Sequence, residues 1–188
     1  FLTEKGKEEY NIKFKDETLT TVKRLGEGMD IFHGLLGLHN DFGTFFHLNG
    51  LTVRNSSISR EKLLFNPDLK VHQDQDFITK LAYHCNLKSG NISTAVAMRG
   101  IHDDNRITKI VAYSEAYKQR QHLLWDSLAK WSIDKNISKE HRQHILLQSR
   151  AYRLSVMENP AKQMAIFKEV LRNPRILKTR YRFLYLGK

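Results

Sequence analysis

With 188 residues, 40% hydrophobic and 27% charged, the chain has the balance of an ordinary globular protein: one sizeable domain, or a domain with an appendage. No run approaches the roughly 20 apolar residues of a membrane-spanning helix, Lys and Glu interrupt the first ten residues so that no signal peptide is expected, and a single cysteine, Cys85, excludes an internal disulfide. The net charge of +11 is unevenly held: residues 109–188 carry 17 Lys and Arg against 6 Asp and Glu, whereas residues 1–108 carry 14 of each. Two parts with different surfaces follow, and the basic one suits nucleic acid, anionic lipid or a solvated helical face. The chain opens on Phe1 rather than Met, as part of a longer protein would. The cytoplasm is the expected compartment.

Tyr10, Ile12 and Phe14 alternate with polar residues and predict a strand. Residues 26–50 hold Gly26, Gly28, Gly34, Gly37, Gly43 and Gly50, which argue against one long helix but leave room for a short one over Met29–Leu38. His33, His39 and His47 lack ligand spacing and are expected to make local polar contacts. The stretch "LNGLTVRNSSI" predicts a strand with Leu51 and Val53 on one face, Ser59 a brief helix through Leu64, and "FNPDLKV" a turn. Phe77, Leu81 and Cys85, with Ile78 and Ala82 beside them, have a helix period. "LKSGN" ends that helix, and "ISTAVAM", residues 92–98, predicts a buried strand feeding the polar loop "RGIHDDNRIT", residues 99–108. Residues 48–108 therefore read strand, helix, helix, strand: an α/β arrangement in which sites form beyond strand ends.

From Asn105 on, the pattern is helical. Ile110, Ala112, Tyr113, Ala116, Tyr117, Leu123, Leu124 and Leu128 make one amphipathic run, and Ser138 is positioned to cap a second through Val156. "ENPAKQ" restarts helix with Asn159 as cap and Pro160 at the first helical position, and "RNPRIL" repeats the signal at Asn173 and Pro174. The spacing suggests short stacked helical hairpins.

Two clusters carry chemistry. Asp74 and Asp76, one residue apart, open the helix of Phe77. They serve as a cap and a favourable charge at its positive end, or as a preorganised general base or metal ligand. Arg99, His102, Asp103, Asp104, Asn105 and Arg106 form either a turn with a helix cap or a group converging on phosphate or metal. No phosphate-binding glycine loop, nucleophile elbow or Cys/His pair occurs.

The ordered series "HLNGLTVRNSSISREKLLFNPDLKVHQDQDFITKL…STAVAMRGIHDDNRIT" resembles the acceptor half of the family 2 glycosyltransferases, which have a GT-A fold. The corresponding pieces are Asn49–Arg54, Phe65–Leu69, Gln73–Asp76 with Phe77, and Arg99–Asn105, within residues 45–108. The resemblance implies a partial GT-A-like α/β sheet with helices over residues 1–108, then an all-α basic helical appendage over residues 109–188. It puts Asp74 at the catalytic base, with Gln73 in place of the usual Glu. It puts Asp76 near the acceptor and His102 near a His that contacts the metal, Mg²⁺ or Mn²⁺, or the donor diphosphate. Arg99 and Arg106 would flank that diphosphate; Asn49, Arg54 and Asn105 complete the substrate-binding set. Residues 1–44 do not read as the nucleotide-binding half, so the chain is expected to be the acceptor-side portion and inactive alone.

The implied function is inverting sugar transfer from a nucleotide-sugar to a hydroxyl of a glycan or lipid-linked acceptor, in surface-polysaccharide or glycan synthesis. The basic C-terminal helices would touch the inner membrane peripherally and bind no specific nucleic acid sequence. Two alternatives stand beside it. One is a basic helical nucleic-acid module displaying Tyr113, Tyr117, Tyr152, Tyr181 and Tyr185. The other is a helical scaffold docking on a partner or an anionic membrane.

Overall fold

The computed structural model describes residues 22–39, 41–43, 48–94 and 114–178. The chain divides into two compact units, Phe1–Pro67 with Gln73–Lys109, and Asp68–His72 with Ile110–Lys188.

Among the described residues the first unit holds three α-helices. Gly28, at φ 58°, turns the chain into α1, Met29–Leu35, which buries Ile31, Phe32, Gly34 and Leu35. Helix α2, Asn55–Glu61, buries no residue and stops where Lys62 adopts a left-handed conformation at φ 50°. Helix α3, Gln73–His84, buries Phe77, Ile78, Leu81 and Ala82. Each such apolar side chain contributes about 1.5–3 kcal/mol when fully buried. Helices α1 and α3 meet through the Phe32 and Tyr83 rings, 5.2 Å apart. Beyond α3 the chain returns beside α1, where Gly28 N–H donates to the Leu87 carbonyl at 2.7 Å and Ser89 N–H to the Gly26 carbonyl at 2.9 Å.

The second unit is a helical hairpin with a third helix laid on it. In α4, Glu115–Asp134, the Ser114 hydroxyl caps the N-terminus by accepting the Tyr117 N–H at 3.3 Å, and Leu124, Trp125, Leu128, Ala129 and Trp131 are buried. Four residues later Ser138 caps α5, Lys139–Ser155, which buries Ile145, Ala151, Tyr152 and Leu154. Helix α6, Ala161–Arg172, and the 3₁₀ turn Pro174–Lys178 close the described chain. Ala165, Ile166 and Val170 of α6 pack on a core of Ala151, Leu154 and Ile176.

The expected partial GT-A-like sheet is overturned. Of the described residues 62% are helical, and none belongs to a strand; a lone bridge joins Glu27 and Lys88. The reasons are local. In "LNGLTVRNSSI", Leu48–Gly50 form a 3₁₀ turn, residues 51–54 are irregular, and Asn55 begins α2. Alternation over three residues was outweighed by the Asn-Ser-Ser run. At the start of "ISTAVAM", the Asn91 side-chain oxygen accepts the N–H groups of Ser93 and Thr94, both at 3.0 Å. A side chain there takes the donors that a sheet ladder would need. Residues 95–98 and the strand expected at Tyr10–Phe14 lie outside the described residues.

Smaller corrections follow the same logic. Ser59 lies in the last turn of α2 rather than capping a helix. Cys85 lies just past α3, half-buried. Pro160, not Asn159, occupies the N-cap of α6, and no side chain caps it. Tyr152, one of the aromatics a nucleic-acid module would display, is buried.

Candidate functional site

The two acids of the Asp-X-Asp share the first turn of α3 but have different surroundings. Asp74 is half-buried, and its Oδ1 accepts the backbone N–H of Gln75 at 2.9 Å. Asp76 is fully buried, and the Lys80 ammonium, one turn on, donates to its Oδ2 at 2.6 Å. A carboxylate removed from water needs such a partner, because an uncompensated charge in the interior is costly. Beside it the Thr79 hydroxyl donates to the Gln75 carbonyl at 2.7 Å, and Phe77 stacks on Phe65 with centroids 4.6 Å apart. The first turn is thus fixed on three sides: one acid is part of the interior and the other reaches solvent.

Asn49 is exposed in the 3₁₀ turn, and Arg54 is exposed at the N-cap of α2. Arg99, His102, Asn105 and Arg106 lie outside the described residues. Among the described residues, no group of three or more His, Cys, Asp or Glu side chains is arranged to hold a metal ion.

A second polar cluster went unread in the sequence. Arg24 grips Asp30 with both terminal guanidinium nitrogens, at 2.5 and 2.9 Å, and Asp41 through Nε at 2.8 Å. His39 Nδ1 lies 3.1 Å from Asp30 Oδ1, the oxygen that Arg24 Nη2 also reaches, and its ring meets that of His33 edge-on at 4.8 Å. The hydrogen bonds from Arg24, and then from His39, lower the Asp30 carboxyl to about 2. Asp41 is lowered by the same guanidinium. The cluster clips the segment after α1 to the segment before it. Its members are spaced 6, 9 and 17 residues apart, a set with no helix or strand period to signal it. Lys80, by contrast, was findable: it stands four residues after Asp76, the spacing at which helical side chains meet.

In the basic unit two histidines are pushed down by burial, His122 and His141, the latter beside the Ser138 cap. Glu169, the one buried residue of α6, receives Arg153 at 3.1 Å, with Arg150 3.7 Å from its other oxygen. These pairs tie α6 to α5.

Comparison with protein-family models, with curated proteins and with solved structures gives no match.

Proposed function

We propose that this chain carries the acceptor-side, base-bearing element of an inverting, nucleotide-sugar-dependent glycosyltransferase, with Asp74 as the base. The observation that carries the reading is the division of labour in the first turn of α3. Asp76 is committed to Lys80 in the interior, while Asp74 is accessible and held in orientation by the Gln75 N–H. A general base must meet the proton it removes, and its rotamer must be fixed before the acceptor arrives. In the reaction, Asp74 takes the proton of an acceptor hydroxyl as that oxygen bonds to the anomeric carbon. The bond from that carbon to the donor diphosphate breaks on the opposite face, inverting the centre. Asp76 then acts as a positioning residue, anchoring the turn rather than touching sugar.

The reading draws on residue order and on Asp74, not on a sheet. The proton transfer at Asp74 needs its carboxylate and the acceptor hydroxyl. Donor binding falls to residues beyond those that resemble the acceptor half. Titration of the chain by calorimetry with UDP- and GDP-sugars plus Mn²⁺ should accordingly show weak binding or none.

The decisive experiment is Asp74→Asn in the complete enzyme. Turnover should fall by about 10²–10⁴-fold, with donor affinity and melting temperature little changed. Retention of most activity would remove Asp74 from the base role. Failure of the unaltered complete enzyme to transfer from any nucleotide-sugar would remove the reading itself.

A further inference from the structure

Helix α6 has two apolar stripes, and the core uses one of them. Ala165, Ile166 and Val170 face the hairpin, together with Glu169. On the other side Met164, Phe167 and Leu171 are 58%, 62% and 68% exposed. At 100° per residue these three fall within an arc of about 60°, along a helix about 18 Å long. Lys168 and Arg172 are exposed beside that stripe, and Arg175 is exposed just past the helix end. The one acid between residues 161 and 178, Glu169, points inward to Arg150 and Arg153. The outward face of α6 is therefore apolar and cationic, with no acid of residues 161–178 on it.

We infer that this face docks on the surface of an anionic lipid membrane. Large apolar side chains flanked by cations are the pattern of a helix lying in the interface: the apolar stripe enters the headgroup boundary and the cations meet lipid phosphates. Charge complementarity selects this occupant over a second copy of the chain, which would bring Lys168 and Arg172 against their own equivalents. The apolar stripe selects it over a nucleic acid, which would leave Met164, Phe167 and Leu171 in water. Among the described residues no helix is long and apolar enough to cross a membrane, so the contact is peripheral. The inference does not depend on Asp74 or on sugar transfer. It names the face through which the basic unit would hold an acceptor-side element near a membrane-borne acceptor.

Co-sedimentation with phosphatidylcholine vesicles, with and without phosphatidylglycerol, at about 150 mM salt is the test. Binding should require phosphatidylglycerol. The double variant Phe167→Ser, Leu171→Ser should weaken it by roughly tenfold or more, and Lys168→Glu or Arg172→Glu by about fivefold each. All are exposed, so circular dichroism and melting temperature should hold. In Phe167→Trp, emission should shift to the blue on adding anionic vesicles and stay unchanged with neutral ones. Vesicle binding indifferent to the apolar substitutions, with equal affinity for RNA or heparin, would overturn the inference in favour of general polyanion attraction. Self-association abolished by those substitutions, without vesicle binding, would overturn it in favour of a second copy. Absence of binding to either vesicle would overturn it outright.

Discussion

Helices α3 and α6 are each twelve residues long and amphipathic, yet they stand in opposite relation to their surroundings. Helix α3 buries six residues, two of them polar, and its acids gather at the entry. Helix α6 buries one, a glutamate, and leaves Met164, Phe167 and Leu171 in solvent. The contrast separates two uses of the same pattern. In α3 the apolar side chains hold the fold, and of its two acids one is buried against Lys80 and the other reaches solvent. In α6 small and branched side chains hold the helix down, a buried carboxylate ties it to two arginines, and Met164, Phe167 and Leu171 stay in solvent.

That contrast can be broken by unfolding measurements. The largest effect should come from Leu81→Ala in α3, with no exposed surface to begin with. Urea denaturation should show a loss of about 2–5 kcal/mol. A loss below about 1 kcal/mol would mean that α3 is not the clamped helix described here. Asp76→Asn should cost about 2–3 kcal/mol by leaving the Lys80 ammonium poorly compensated, and adding Lys80→Met should recover part of that. Glu169→Gln in α6 should cost less, about 1–2 kcal/mol, because Arg150 and Arg153 keep access to water. Phe167→Ser should change stability by no more than about 0.5 kcal/mol. A larger loss would show that its ring is covered in solution and would erase the difference between the two helices.

Much of the helical half was legible because its signals are local. Ser138 before an amphipathic run, and the period of Phe77 and Leu81, each name a helix without help from elsewhere. Where the described residues test the strand readings, these fail for an equally local reason. Leu51 and Val53 make a single alternation, and at Ser93 and Thr94 the Asn91 side chain takes the donors a sheet would have paired. The Asp-X-Asp was legible as a pair, but not which acid would be buried. On a wheel Asp74 falls under the stripe of Phe77 and Leu81, and Asp76 off its edge. Burial came out the other way, since what packs over a helix entry has no period. In α6 the sequence offers two apolar stripes, Met164, Phe167 and Leu171 against Ala165, Ile166 and Val170. Periodicity cannot rank them, because either face would suit a core. Arg24, Asp30, His39 and Asp41 were illegible because folding alone brings them together.

The Phe42 ring has a consequence for how this chain can drift over generations. The ring is buried, with the Arg24 guanidinium 5.4 Å above its centre, and it fits only because Gly26 and Gly34 present no side chain to it. A methyl at Gly34 would meet both the ring and, at 2.7 Å, the Gly43 carbonyl. The two glycines and the phenylalanine are therefore one heritable unit, like a slot and the card it accepts. A descendant that replaces Gly26 must first shrink residue 42, and one that keeps Phe42 is confined to glycine at both flanks. Among diverging copies of this chain residues 26 and 42 should change together or stay together. A lineage that had lost the ring would be recognisable by alanine or serine appearing at residue 26, just ahead of α1, while the Gly43 carbonyl would still hold residue 34 to glycine.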